Sequence, residues 1–234
     1  MTNVDLHRVR RAARWRLAAA VVGVVTLTAA GSCGGEEAVE RWQEGAAHWD
    51  EGGVHGDWRV IFDGGGFTGR RPDGTILLAP PPPESEDVTH AGLIVSTGTT
   101  GEPDLRMRLR TLDQTRPEPN VWEVAWAVWH YTGPQNFYYL LLKPNGWELG
   151  KADPAFRGAQ RFLATGPGPF PIGRWYEVRV RQSGARMTAW VDGRKLVDYT
   201  DEQDPYLQGA VGLYAEDAVA EFASVSLGGH PLRG

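Results

Sequence analysis

The chain has 234 residues, of which 41% are hydrophobic and 23% charged, and its formal net charge is −5. This length is enough for one domain with a sizeable core. Because a net acidic chain repels phosphate backbones, nucleic acid is excluded as an expected partner.

The first 32 residues have the order of a secretory signal. A basic stretch comes first, followed by an apolar run over residues 17–30 that is short for a bilayer span and ends in small residues. The basic residues are Arg8, Arg10, Arg11, Arg14 and Arg16. We predict export. Removal of this segment would lower the net charge from −5 to −9, since it carries five arginines and one aspartate. An uncleaved membrane anchor is the alternative.

Cys33 is the only cysteine, so it cannot form an internal disulfide. It follows the small residues Gly31 and Ser32, a context that resembles a bacterial lipobox. That resemblance implies an acyl chain on Cys33, and membrane contact only through the N-terminal lipid or signal. The alternative is an incidental cysteine that is discarded with the signal. Residues 33–55 are rich in Gly, Ala and Glu and are interpreted as a tether. A short amphipathic helix over 36–49 is the other reading.

Residues 56–234 are predicted to be all-β, forming a two-sheet antiparallel β-sandwich of jelly-roll type. Short segments with a period of two are separated by turn signals, and none shows sustained helical spacing. The strand candidates are 58–62, 76–78, 93–95, 105–110, 121–131, 137–143, 147–150, 175–181, 187–191, 210–214 and 219–227. Asn145-Gly146 and Asp192-Gly193 favour tight hairpins, because these residues tolerate positive φ.

The second half of the chain resembles a known group of sandwiches. Gly173-Arg-Trp-Tyr-Glu-Val-Arg-Val leads to Val191-Asp-Gly, then to Gly209-Ala-Val-Gly-Leu and Phe222-Ala-Ser-Val. This order is similar to the closing strands of laminin G-like and 3-keto-disaccharide hydrolase-type domains in the concanavalin A-like lectin/glucanase superfamily. The resemblance implies a monomeric sandwich. It leaves the activity open, because lectins, glycosidases, lyases and non-catalytic modules share this fold.

The aromatic segment 121–131 is the main candidate for a ligand surface. If it is one extended strand, Glu123, Ala125, Ala127, Trp129 and Tyr131 share a face. Aromatic faces beside a few charges suit polysaccharides or oligosaccharides. We therefore predict a carbohydrate-binding groove lined by Glu123, Trp129, Tyr139, Lys143, Trp147 and Lys151. The alternative is that the rings form the sandwich core and the charges a solvated rim.

Catalysis of the family-16 glucanase type is not expected. Those enzymes carry a Glu-x-Asp-x-x-Glu strand, and here alanines follow Glu123 on the face where the partner acids belong. The sequence thus favours a carbohydrate-binding domain. A glycoside hydrolase of the 3-keto-disaccharide type, acid–base or lyase chemistry with Glu123, His130 and Lys143, and a structural or adhesive laminin G-like domain are the alternatives.

Calcium is a further expectation from the resemblance. Members of the superfamily often hold this ion near the paired first and last strands. The candidate ligands are Asp57, before the first strand, and Glu216 and Asp217, before the last one. An ordinary acidic turn is the alternative.

Overall fold

The structure, a computed structural model, describes residues 41–234, which form two antiparallel β-sheets and a helical turn at 41–43. Across sheet A the strands are β1 (Ala47–His48), β4 (Phe67–Arg70), β5 (Ile76–Ala79), β16 (Ala218–Leu227), β7 (Asp104–Gln114), β12 (Tyr176–Ser183), β13 (Arg186–Val191) and β14 (Arg194–Thr200), with β17 (His230–Pro231) beside β16. Across sheet B they are β11 (Gln160–Gly166), β10 (Gly146–Ala152), β9 (Asn136–Lys143), β8 (Ala125–Gly133), β15 (Ala210–Glu216), β6 (Ala91–Ser96), β3 (Trp58–Phe62) and β2 (Val54–His55). The predicted all-β sandwich is confirmed.

Strict alternation decides which side of each strand faces the core. In β7, Leu105, Met107 and Leu109 are buried while Arg106 and Arg108 are exposed. Successive side chains of a strand point to opposite faces, so the apolar set meets sheet B and the charged set meets water. The core between the sheets is built this way from both sides. Its largest fully buried members include Trp58, Trp129, Tyr138, Leu140, Ile94 and Phe222.

Residues 47–55, which were expected in the tether, belong to the sandwich. Strand β1 pairs with β4, and β2 pairs with β3. Between them Trp49 is 4% exposed and stacks on the imidazole of His55, with 4.9 Å between ring centroids. Burying a tryptophan stabilises the fold by a few kcal/mol, which explains why this segment folds onto the domain. The domain therefore begins before residue 56.

The signal segment 1–32, Cys33 and the first part of the tether lie outside the described residues. The amphipathic helix considered for 36–49 is replaced, from residue 44 on, by a turn and by strand β1. Within residues 41–234 no helix has the length and apolarity needed to cross a membrane.

Both predicted hairpins are present, but only Asp192-Gly193 forms the turn itself as predicted. Asp192 and Gly193 have φ of 49° and 77°, and they join β13 to β14 through the pair Val191 and Arg194. Positive φ at both central residues matches the right-handed twist of the flanking strands. At the β9–β10 hairpin, Lys143 pairs with Gly146, so the two turn residues are Pro144 and Asn145.

Candidate functional site

The side chains of strand β8 alternate between the two faces of sheet B. Ala125, Ala127 and Trp129 belong to the core between the sheets, whereas Trp126 and Val128 pack on the outer face of sheet B. The face predicted to bind a ligand is thus the core face. Glu123 does not share the strand with Trp129, because it lies in a turn that precedes β8.

Three aromatic rings meet at the centre of the outer face of sheet B. The ring of Trp126 lies 4.7 Å from that of Tyr139 and 4.9 Å from that of Tyr214, centroid to centroid. These residues come from β8, β9 and β15, three neighbouring strands. All three are at most 6% exposed, so the rings form a packed floor rather than a free stacking surface.

A chain of hydrogen bonds, the Glu148 chain, lies beside this floor. Lys143 donates from Nζ to Oε2 of Glu148 over 2.8 Å, and the hydroxyl of Tyr139 donates to Oε1 over 3.1 Å. Gln160 donates from Nε2 to the Tyr139 hydroxyl over 2.6 Å. The Tyr139 ring reaches Glu148 because it passes over Gly150, where a Cβ would overlap the ring. Glycine at 150 therefore positions the phenol.

The electrostatics of the Glu148 chain keep Tyr139 protonated. Burial, and then the nearby Glu148 carboxylate, raise the pKa of Tyr139 well above its usual value. A neutral phenol is a hydrogen-bond donor and cannot act as a base near neutral pH. The side chains of Lys143 and Glu148 keep 14% and 8% of their surface exposed, so the Glu148 chain lies at the edge of solvent.

Phe162 completes the site with an exposed ring. It is 65% exposed, and it pairs across the β10–β11 ladder with Gly150, which pairs on its other side with Tyr139. Paired residues lie on the same face of a sheet, so Phe162 shares the outer face with the Glu148 chain. An exposed ring next to fixed donors and a carboxylate can bind one face of a sugar and several hydroxyls.

A buried acid cluster lies on the other side of the aromatic floor. The Tyr214 hydroxyl donates to Oε2 of Glu216 over 2.7 Å. Burial, and then the neighbouring Asp217 and Glu123 carboxylates, raise the pKa of Glu216 to about 8, against the lowering by the Tyr214 bond. Arg116 holds Glu123 through Nε and Asp217 through Nη2, each over 2.6 Å. Glu216 therefore carries its proton at neutral pH, while Arg116 balances the other two acids.

The six residues predicted for a groove are divided by the structure. Tyr139 and Lys143 lie on the outer face of sheet B, as members of the Glu148 chain. Trp129 and Trp147 lie in the core between the sheets. Lys151 is fully buried against Asp201. Glu123 is 1% exposed and bound by Arg116 and Asn120. One groove does not hold all six, and sugar binding by the two that share a face stays a prediction.

Sequence reasoning missed Glu148, Gln160 and Phe162. The position of Glu148 could have been inferred from the sequence. Cross-strand partners share a face, so a two-residue hairpin turn places Glu148 on the same face as Lys143. The prediction instead grouped Lys143 with Trp147, which the same register assigns to the opposite face. No local signal marked Phe162, since its role depends on the register of β11 against β10.

The three calcium candidates do not form one site. Asp57 precedes β3, whose Trp58 pairs with Ser96 of β6, whereas Glu216 pairs with Ala91 at the other end of β6. Asp57 binds the backbone N–H of Arg233, and Asp217 binds Arg116 and the N–H of His90. Each of the three carboxylates already has a partner, which for Glu216 is the Tyr214 hydroxyl, and calcium needs six to eight oxygens at one point. In the described part of the chain, no three His, Cys, Asp or Glu side chains are arranged for a metal.

The topology defines the class of protein: a jelly-roll sandwich of the concanavalin A-like type. The carbohydrate binding module CBM66 from Bacillus subtilis has this fold, with a TM-score of 0.51, 18% identity and coverage of 78% of this chain and 94% of the module. A β-glucanase from Bacillus licheniformis has a TM-score of 0.50 at 11% identity, covering 76% of this chain and 95% of the enzyme.

The chain belongs to the 3-keto-alpha-glucoside-1,2-lyase-like domain family, which matches residues 38–227. This match confirms the resemblance read from the closing strands. It also places the start of the family domain before residue 56, in agreement with the pairing of β1 and β2. No curated protein matches the chain significantly.

Proposed function

We propose that this chain is an exported carbohydrate-binding domain that takes a saccharide on the outer face of sheet B. The observation that carries the proposal is the exposed Phe162 ring on the same face as the Glu148 chain. Apolar C–H faces of a sugar would stack on the ring, and its hydroxyls would meet Glu148, Lys143 and Gln160. The family is named for a glucoside and the similar Bacillus subtilis module for carbohydrate binding, which supports this ligand class.

The test compares two exposed phenylalanines by calorimetry or glycan array. Phe162→Ala should weaken saccharide binding by about tenfold or more, as expected for loss of an aromatic contact worth ~1.5 kcal/mol. Phe156→Ala is the matched control, because Phe156 is 50% exposed in the β10–β11 loop. Equal losses from both changes, or none from Phe162→Ala, would remove the ligand from this face.

A second candidate function is elimination across C1 and C2 of a 3-keto-α-glucoside. It is favoured by the position of Glu148 between an ammonium and a phenol. The C2 proton of such a sugar is acidic because it lies next to the C3 ketone. The Glu148 carboxylate would take that proton, the C1–O bond would break, and the leaving oxygen would gain a proton. Lys143, whose ammonium has further N–H groups beside the one on Glu148, would donate a hydrogen bond to the enolate oxygen that develops at C3.

Turnover and binding can be separated with Glu148→Gln. This change keeps the size of the side chain and its ability to accept hydrogen bonds, but removes the base. If the chain is a lyase, release of the leaving group from a 3-keto-glycoside should fall by at least about a hundredfold, while saccharide binding persists. Absence of turnover in the unmodified chain would leave the binding function alone.

We also propose that the domain is attached to a membrane surface by lipid on Cys33, following a signal over residues 1–32. The basic stretch, the apolar run and the small residues before Cys33 support this proposal. Metabolic acyl labelling should depend on Cys33, and Cys33→Ser should release the domain to the soluble fraction. Labelling that survives the substitution would contradict lipid attachment at this residue.

A further inference from the structure

The outer face of sheet A carries a regular array of arginines. In β7 and β12 the side chains that alternate with the core residues are mainly guanidinium groups, and Arg106, Arg108 and Arg181 are exposed. Side chains two apart on one strand are about 7 Å apart, and neighbouring strands are about 4.8 Å apart. We call this surface the arginine face. It comprises Arg106, Arg108, Arg110, Arg179 and Arg181, with Trp175 and Trp190.

The strand register places cations directly opposite one another. Arg106 of β7 is the Cα partner of Arg179 of β12. Like charges at such a pair are destabilising unless another group compensates them. Asp104 compensates only in part: it binds Arg179 through two hydrogen bonds of 2.7 Å, and it lies 3.7 Å from both Arg106 and Arg181. One carboxylate therefore compensates the charge of three guanidinium groups.

The other carboxylates of this face are shared in the same manner. Glu221 pairs with both Arg71 and Arg110, and Asp198 with both Arg186 and Lys195. Glu177 is the register partner of Arg108. The strands and their margin thus hold more cations than carboxylates, although the whole chain has a net charge of −5. The strands of sheet A carry nine cations, Arg70, Arg106, Arg108, Arg110, Arg179, Arg181, Arg186, Arg194 and Lys195, and five carboxylates, Asp104, Asp113, Glu177, Asp198 and Glu221.

Two tryptophans hold the guanidinium groups flat. Arg108 and Arg110 lie over the ring of Trp175, at 4.8 and 4.6 Å from its centroid, and Arg179 lies 5.2 Å from the ring of Trp190. Both rings are half-buried and covered by arginines, so they do not protrude. Stacking on the rings restricts the conformations of these guanidinium groups before an anion binds, which lowers the entropy cost of binding.

We propose that the arginine face binds an acidic polysaccharide, a chain of sugars with carboxylate or sulfate groups. Guanidinium forks bind planar oxyanions through paired hydrogen bonds, and a repeating array suits a polymer with repeating charges. Among the described residues, no exposed large hydrophobic side chain lies on a strand of sheet A, so the face lacks the wedges that enter a lipid surface. This site lies on the opposite side of the sandwich from the Glu148 chain and does not depend on the function proposed there.

The experiment measures binding of the domain to polygalacturonate at about 50 and 200 mM salt, a range over which exposed ion pairs are progressively screened. The variant Arg106→Gln/Arg108→Gln/Arg181→Gln removes three exposed cations of the face. It should weaken binding at least about tenfold and reduce the salt dependence, since several charge-assisted bonds are lost. The control variant Arg59→Gln/Arg157→Gln/Arg233→Gln changes the net charge equally with exposed residues that are not on sheet A, and should keep wild-type affinity.

Thermal unfolding of both variants, and saccharide binding at the outer face of sheet B, check that the fold is intact. The proposal is overturned by absence of polygalacturonate binding in the unmodified domain, or by equal losses in the two variants. Binding to anionic phospholipid vesicles or to nucleic acid with none to polygalacturonate would also overturn it. Loss of polygalacturonate binding in the arginine-face variant, with the affinity of the control variant and the thermal unfolding of both unchanged, is the supporting outcome.

Discussion

Trp129 shows how much of this fold depends on a single buried ring. Its side chain is fully buried, its Nε1 donates to Oε1 of Gln182 over 2.8 Å, and its ring stacks on Tyr138 at 5.7 Å. The hydrogen bond joins β8 of sheet B to β12 of sheet A, so the residue fastens the two layers together. Its role is in packing rather than in ligand contact.

We predict that Trp129→Ala lowers the free energy of unfolding by about 3–5 kcal/mol, because it leaves a cavity and removes the hydrogen-bond donor to Oε1 of Gln182. Urea unfolding followed by fluorescence of the remaining tryptophans measures this change. Phe162→Ala, at an exposed position, should stay within about 0.5 kcal/mol of the unmodified protein. A small effect of Trp129→Ala on the free energy of unfolding, together with a loss of saccharide binding, would indicate that Trp129 contacts the ligand.

The side of β8 that faces the core could not be read from the sequence. Alternation indicates a face only when one side is polar, and here Val124, Trp126 and Val128 are as buried as Ala125 and Trp129. The parity argument for Glu123 failed for a different reason. Residues 121 and 122 form a turn, so the extended strand begins only at Ala125. In β7 and β12, where apolar and charged residues alternate, the pattern in the sequence matches the buried and exposed faces.

The connection between β14 and β15 is fixed by one buried ammonium group. Lys151 donates from Nζ to Oδ2 of Asp201 over 3.0 Å, and to the carbonyl oxygens of Gln203 and Asp204 over 3.0 and 2.6 Å. The hydroxyl of Tyr138 also donates to Oδ2 of Asp201, over 2.7 Å. Although burial opposes it, these bonds hold the pKa of Asp201 below its usual value. The loop is thus organised around a fixed cation.

We predict that Lys151→Met destabilises the domain by about 3–5 kcal/mol, since it leaves the Asp201 carboxylate buried without its cation. The double variant Lys151→Met/Asp201→Asn should recover part of that loss, because no charge is then buried. Chemical unfolding of both single variants and the double variant gives the coupling energy. Strict additivity of the single effects would show that the pair is not an energetic unit.

The network around Lys151 could not be predicted from the sequence. Its partner Asp201 is 50 positions away in the chain, and neither residue sits in a recognisable motif. The same holds for the arginine face, whose cations alternate with core residues and so never form a basic run. Features set by local chemistry, such as the Asp192-Gly193 turn, were accessible from the sequence.

At the scale of the whole molecule, the sandwich presents two unlike surfaces. The outer face of sheet B is a packed aromatic floor with the Glu148 chain and an exposed ring, and the outer face of sheet A is cationic. A β-sandwich can maintain both because alternation makes the outer side chains of each sheet independent of the core. If both proposals hold, an acidic polymer on sheet A would keep the proposed saccharide face of sheet B close to the same polysaccharide matrix.

The acid cluster makes the stability of the whole domain depend on pH. Burial is the main cause that raises the folded-state pKa of Glu216 to about 8, well above the usual range of a glutamate. Below the unfolded pKa both states hold the proton, and the stabilising contribution is complete. As pH rises through the folded pKa, the native state must bury a charge and the contribution is lost. Burial also raises the pKa of Glu123, so this group too makes the domain less stable as pH rises. Burial lowers the pKa of His130, and this shift affects stability only below about pH 6.5.

We therefore predict that the free energy of unfolding falls between pH 7 and pH 9 by an amount on the order of 1 kcal/mol. Glu216→Gln should flatten this dependence, because the amide still accepts the Tyr214 hydrogen bond but cannot ionise. The buried tyrosines of sheet B, Tyr214 of the acid cluster and Tyr139 of the Glu148 chain, titrate above this range, since burial raises the pKa of both. Urea unfolding at pH 7, 8 and 9 measures both proteins. A parallel decline in the two would assign the pH dependence to other groups, and constant stability of the unmodified domain would place the Glu216 carboxyl in contact with water.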